Sequence, residues 1–316
     1  MTLAGHEEPW RQWHAATTGD RMHHAWILSG LRGVGKAAFA LQAARELVGS
    51  PSMDDHPDIL VLTHPPKDDK EAEKRAEGKP YETKRNIPVD EVRAMQRRLT
   101  TRPTLGDRRV VIVDPADDLE SSASNALLKS LEEPPQGTFF LLVAHRIGRL
   151  LPTIRSRCRV LHFPPVPDET IDEILRQEAP EADSATRAAA IAASAGSPGV
   201  ALEFVSLGLG ELHRLMLELI RSGDPDFARR GQLAEAIGAR PDRQRQLAAI
   251  DLARSVLAQA MRTVTNRDIP ALAAAHAELS RLAAQAPTYN YDPGLLVMEI
   301  GGLLAAVGAP REAAHG

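Results

Sequence analysis

The residues whose types and spacing offer the most chemistry are Gly30, Gly33, Gly35 and Lys36. They lie within Ala25-Trp26-Ile27-Leu28-Ser29-Gly30-Leu31-Arg32-Gly33-Val34-Gly35-Lys36-Ala37. An apolar run leads into a glycine-rich turn, and a lysine then opens a helix, which is the order of a phosphate-cradling loop. Glycines reach backbone angles closed to other residues, so successive N–H groups can converge on one anion. The helix starting at Lys36 adds its positive dipole end. Gly30, Gly35 and Lys36 fit G-x-x-x-x-G-K, but the next residue is Ala37 rather than Ser or Thr. A methyl group cannot hold Mg²⁺, so the loop lacks a part that hydrolysis uses. It reads equally as a site that holds ATP or ADP without hydrolysis and as an apolar turn with a structural lysine.

A second cluster surrounds Asp114, at the end of Arg109-Val110-Val111-Ile112-Val113-Asp114. Buried parallel strands read as continuous apolar runs, and a carboxylate at such an end can order Mg²⁺ beside a phosphate loop. Pro115 stands where a water-activating Glu would follow, with Asp117 and Asp118 close by. The run Thr138 to Ala144 ends in Ala144-His145, without a Ser, Thr or Asn to sense a terminal phosphate. His23 and His24 lack companions at metal-ligand spacing. Cys158 is the single cysteine, which excludes an intrachain disulfide and a cysteine zinc site.

These residues need a scaffold of alternating strands and helices. Helices are expected from Glu7 to Ala16, Lys36 to Val48, near Val89 to Leu99, and from Ser121 or Ser122, as cap, to Glu132. Strands are expected at 25–30, 59–62, 109–114, 138–144 and 160–163. The alternation predicts a parallel α/β sheet covered on both faces. The charged stretch 65–86 reads as an exposed, partly disordered insertion. Beyond Pro164-Pro165 only helices are expected. Three short ones begin with Asp168 as cap and continue over 185–194 and from Gly196-Ser197-Pro198-Gly199. Five longer ones follow at 211–220, 226–238, 242–265, 269–285 and 293–307.

The chain has 316 residues, 43% of them apolar but only 4% aromatic, which suits aliphatic, helix-rich cores. A net charge of −4 argues against a protein coated for nucleic acid. The acidic start carries no secretory pattern, and no apolar run approaches the roughly 18 residues of a membrane span. A cytoplasmic protein without membrane contact is expected.

Several segments together resemble one family. They are Arg21-x-x-His24-Ala25, the loop Gly30–Lys36, His56-Pro57-Asp58, Pro88-Val89-Asp90-x-Val92-Arg93, the run Ser124-Asn125-Ala126-Leu127-Leu128-Lys129-x-Leu131-Glu132-Glu133-Pro134-Pro135, and Leu150-Leu151-Pro152-x-Ile154-Arg155-Ser156-Arg157-Cys158. The set is similar to the delta-prime subunits of the bacterial DNA polymerase III clamp loader, which are AAA+ proteins. The clear matches span residues 21–163, and Gly196–Gly199 and Tyr289-Asn290-Tyr291-Asp292 carry weaker similarity. The resemblance implies an AAA+ P-loop domain (1–165), a small helical lid (166–208) and an all-α C-terminal collar (209–316). It implies a hetero-pentamer with gamma/tau and delta subunits that sets the sliding clamp on primed DNA. It also implies that Arg157, carried by Ser156-Arg157-Cys158, reaches the ATP of a neighbouring subunit.

Against the motor subunits of that family the chain departs at Ala37, at Pro115, and at Gly199 and Val200, where the lid would offer an arginine. It also lacks the zinc-module cysteines. Those departures fit a stator without intrinsic ATPase. The competing readings are an active gamma/tau-like ATPase that uses Asp114 with Asp117 or Asp118, and direct DNA contact through Arg93, Arg97, Arg98, Arg102, Arg108 and Arg109.

Overall fold

The computed structural model describes residues 5–19, 22–50, 55–238, 241–264, 268–286 and 291–308. Arg21, Tyr289 and Asn290 of the resemblance motifs lie outside those residues. The chain divides into two compact units, Met1–Val166 and Pro167–Gly316.

The first unit runs α1 (Glu7–Thr17), β1 (Ala25–Gly30), α2 (Lys36–Leu47), β2 (Ile59–Leu62), α3 (Asp69–Ala76), α4 (Val89–Leu99), β3 (Arg109–Val113), α5 (Ser121–Glu132), β4 (Thr138–Ala144), α6 (Pro152–Arg155) and β5 (Arg159–Phe163). The five strands form one sheet in the order β2-β3-β4-β1-β5. Every pairing is parallel, with Ala25 opposite Phe140, Gly30 opposite Phe163 and Ile59 opposite Val110.

Side chains alternate across a strand, and the two sheet faces use that alternation differently. Ala25, Ile27, Val111, Val113, Phe140 and Leu142 pack with Val92, Met95 and Leu99 of α4 and with Ala123, Leu127 and Leu131 of α5. On the other face an aromatic cluster joins α1, α2 and the sheet. Trp13 lies 5.6 Å from Trp26 and 6.0 Å from Phe39, and Phe39 lies 5.0 Å from Phe163, between ring centroids. Trp13, Trp26, Phe39 and Phe163 thus form one aromatic cluster on that face.

The stretch 65–86 is largely exposed, as expected, but it contains a helix, α3, where partial disorder was expected. Asp68 caps that helix by accepting from the Glu71 N–H at 3.0 Å. Glu71 is itself buried and accepts from the Glu82 N–H at 2.7 Å and from Lys74 Nζ at 2.6 Å. The flanks meet in an antiparallel bridge between Pro66 and Thr83. One buried carboxylate therefore closes the segment on itself, and a polar composition does not disclose that. Two expected caps also shift. Glu120 precedes α5 and no side chain caps it, so neither Ser121 nor Ser122 is the cap. In the second unit Pro167 precedes the first helix, and Asp168 joins its first turn, where a carboxylate meets the positive helix end.

The second unit is helical throughout its described residues: α7 (Asp168–Glu178), α8 (Ser184–Ser194), α9 (Pro198–Ser206), α10 (Gly210–Ser222), α11 (Ala228–Ile237), α12 (Arg243–Thr263), α13 (Ile269–Gln285) and α14 (Pro293–Gly308). Asp183 and Asp242 cap α8 and α12, and Ser197 caps α9. Leu212, Leu215, Met216 and Leu219 form the buried stripe of α10. The stripe of α12 is less regular because that helix packs against α8, α10, α13 and α14.

Candidate functional site

The glycine-rich loop is built at the end of β1. A Cβ on Gly30 would lie 2.5 Å from the Phe163 carbonyl oxygen, so only glycine lets β1 finish beside β5. Gly33 (φ +75°) and Gly35 (φ +108°) occupy the left-handed region, and Gly35 caps α2. Lys36 then begins α2, and its side chain turns back under the loop. Its Nζ donates to the carbonyls of Gly30 at 2.7 Å and Leu31 at 2.5 Å. Lys36 is only 2% exposed. Burial pushes its ammonium down to about 8, against the opposing pull of Asp114 and Asp117. An ammonium has three donors, so two carbonyl bonds leave one for a phosphate oxygen.

His6 pins the loop from the other side, with its Nε2 2.5 Å from the Val34 carbonyl oxygen. Its ring meets the edge of Phe163 at 5.1 Å. Sequence reasoning missed this contact, because a residue 28 positions away shares no spacing signal with the loop.

Asp114 follows β3, and its N–H donates to the Leu62 carbonyl at 2.9 Å. Burial raises its carboxyl, and Lys36 and His64 pull it back. Pro115 follows through a cis bond. Asp117 is buried and accepts from the N–H groups of His145 at 2.9 Å and Arg146 at 3.2 Å. It ties the end of β4 to the turn after β3. Asp118 lies 3.3 Å from His64 Nε2 and 3.6 Å from Arg149 Nη1. Both carboxylates nearest the position of a water-activating residue are thus held by other groups. His145 is pushed down to about 4, by burial first and then by Lys36. It is a neutral imidazole at pH 7.

Gly30, Gly33, Gly35, Lys36 and Asp114 therefore gather at the C-terminal edge of the sheet. Arg157 does not join them. It precedes β5, whose first residue pairs with Trp26 and whose last pairs with Gly30. About 13 Å of strand separates those two edges, and Arg157 lies beyond the far one. There its Nη2 meets Glu132 Oε1 at 2.6 Å, and its Nη1 donates to the Thr153 carbonyl at 2.9 Å and to Ser156 Oγ at 3.4 Å. Ser156 Oγ in turn donates to the Thr153 carbonyl at 3.1 Å. Cys158 packs against the core, and burial pushes its thiol up to about 12, which makes it a packing residue.

Among the arginines named for direct DNA contact, three have contacts within the chain that bear on that reading. Arg109 is buried with Asp58 at 3.1 Å, which corrects its reading as a surface cation. Arg98 donates to the Pro57 carbonyl at 2.8 Å, and Arg93 pairs with Asp90 at 3.4 Å. His23 and His24 stack on each other, and His24 Nε2 lies 2.9 Å from the Leu131 carbonyl. Among the described residues, no group of three or more metal-competent side chains comes together. No described helix is long and apolar enough to cross a membrane.

Comparison with known proteins gives a consistent set of matches. The model of the family described as DNA polymerase III, delta subunit, matches residues 5–167. The DNA polymerase III subunit delta' of Pseudomonas aeruginosa is 33% identical over 232 residues, covering 67% of this chain and 66% of that protein. The Escherichia coli subunit delta' is 34% identical over 204 residues, covering 60% and 56%. The matched region thus spans less than two thirds of those relatives' own length. In structure, a DNA polymerase III gamma subunit-related protein of Thermotoga maritima aligns with 96% of this chain and 100% of its own. Its TM-score is 0.53 at 18% identity, a likeness of fold.

Proposed function

This chain belongs to the DNA polymerase III delta subunit family, and from that premise we propose that it is a clamp-loader subunit of the delta-prime kind. In this reading it assembles with gamma/tau and delta subunits and does not hydrolyse ATP itself. It lends Arg157 to the ATP site of a neighbour while the sliding clamp is set on primed DNA.

The observation that carries the reading is the engagement of Asp117 and Asp118, beside Lys36, by other groups of the same chain. Asp117 is consumed by two backbone N–H groups and Asp118 by His64 and Arg149. Asp114 is followed by Pro115, and Lys36 by Ala37. Such a site can hold phosphates through the loop and Lys36. The tied Asp117 and Asp118 and the methyl group of Ala37, in place of a Mg²⁺-binding hydroxyl, support a reading without hydrolysis. The remote position of Arg157 supports the second half of the reading: it is too far from its own loop to act there. A guanidinium placed on a developing phosphoryl charge from another subunit is worth roughly 10³–10⁵ in rate.

The test is ATP hydrolysis by the purified chain, alone and then with gamma/tau and delta subunits, clamp and primed DNA. The expected result is silence alone and activity in the mixture that falls sharply with Arg157→Ala, while the complex still assembles. Turnover by the chain alone, abolished by changing Lys36, replaces this reading with an active gamma/tau-like motor.

A further inference from the structure

Glu132 is the last residue of α5, and Glu133 follows it. A carboxylate at that end of a helix meets the negative end of the dipole and is electrostatically unfavourable there without a cation. Arg157 supplies one at 2.6 Å. The same guanidinium is also held by the Thr153 carbonyl and Ser156 Oγ. Both of its terminal nitrogens are therefore engaged by its own chain. The side chains remain accessible, Arg157 at 36% and Glu132 at 46% exposure.

We propose that Glu132 is the rest-state partner of Arg157 and competes with the phosphate of the neighbouring subunit's nucleotide for it. The inference rests on the reading of Arg157 given above. An arginine that keeps a carboxylate at contact distance carries little net charge toward a second anion, so action in trans requires the pair to open. A pair this exposed is weak, worth no more than about fivefold in an equilibrium. A phosphate bearing more than one negative charge can displace it. The pair holds the side chain in a defined place before assembly and releases it when nucleotide arrives.

The experiment is a double-mutant cycle in the assembled complex, with Glu132→Gln and Arg157→Ala alone and combined. Glutamine keeps an acceptor of the same shape and removes the charge. With Arg157 present, Glu132→Gln is expected to lower the ATP concentration for half-maximal hydrolysis by up to about fivefold, and to make that value less sensitive to salt. In the Arg157→Ala background it is expected to do nothing. An unchanged or weakened ATP dependence, or the same effect with and without Arg157, overturns the proposal. If Arg157→Ala leaves hydrolysis intact, the reading of Arg157 itself has failed. If Arg157→Ala lowers hydrolysis and Glu132→Gln changes nothing, only the competition has failed.

Discussion

Arg109 and Asp58 form an ion pair inside the first unit, with Nη2 3.1 Å from Oδ1 and side chains 4% and 0% exposed. Asp58 also accepts from the N–H groups of Thr104 and Leu105, at 2.8 and 2.9 Å. Arg109 donates to the carbonyls of Arg98, Thr101 and Arg102. The pair fastens the loop after α4 to the start of β3. Burial works to raise the Asp58 carboxyl, but the two N–H groups and Arg109 hold it below the ordinary range.

Removing one partner leaves a buried charge uncompensated, which typically costs 3–5 kcal/mol. Arg109→Met is therefore expected to destabilise the chain by about that much, and Asp58→Asn somewhat less, because the amide keeps an acceptor. The double variant is expected to recover part of the loss. Chemical denaturation of the four proteins measures this, and strictly additive losses contradict the pairing. Because the folded carboxyl is lowered, its stabilisation is present above the unfolded value of about 3.8 and is lost as pH falls through the folded one.

Lys36 gives a pH dependence of the same sign in an alkaline window. Its folded ammonium titrates near 8 and its unfolded one near 10.5, so between those values the unfolded chain binds more protons. Stability then rises with pH across that window, by about 3 kcal/mol if the whole shift is realised. Lys36→Met is expected to remove that rise and to be no less stable than the parent at neutral pH. Denaturation curves near pH 8 and pH 10 for both proteins decide the matter. The variant is also expected to lose any ADP binding, read by calorimetry.

Gly30→Ala tests the end of β1. The added carbon meets the Phe163 carbonyl oxygen at 2.5 Å, a backbone atom that cannot turn aside. The expected cost is about 1–3 kcal/mol, with loss of nucleotide contact as the loop shifts. Gly148→Ala, where a Cβ meets nothing within 4 Å, is the matched control. Equal thermal shifts in the two variants reject the strain.

Much of the scaffold was legible because its physics is local. Val110 to Val113 and Phe139 to Ala144 are strands whose apolar continuity follows from burial on both faces. In the second unit the apolar spacing of α10, at Leu212, Leu215, Met216 and Leu219, stands in plain view. The charged stretch around α3 was not legible, since its order depends on Glu71 meeting Glu82 from eleven residues away. Arg109 looked like a surface cation because sequence shows charge and not depth. The loop glycines and Lys36 were readable from spacing. The contacts of His6 with the loop, of Asp117 with the end of β4 and of Glu132 with Arg157 were not, since each joins distant segments.

The register of β5 beside β1 has a further consequence. One strand length separates the edge of the first unit that carries the glycine loop from the edge that carries Arg157. Nothing in the packing obliges the two to change together. A change at the loop, such as Lys36→Met, is therefore expected to leave the contacts of Arg157 with Glu132 and Thr153 in place. In the function proposed above, that separation lets Arg157 complete a neighbour's site whatever the state of the loop on its own chain.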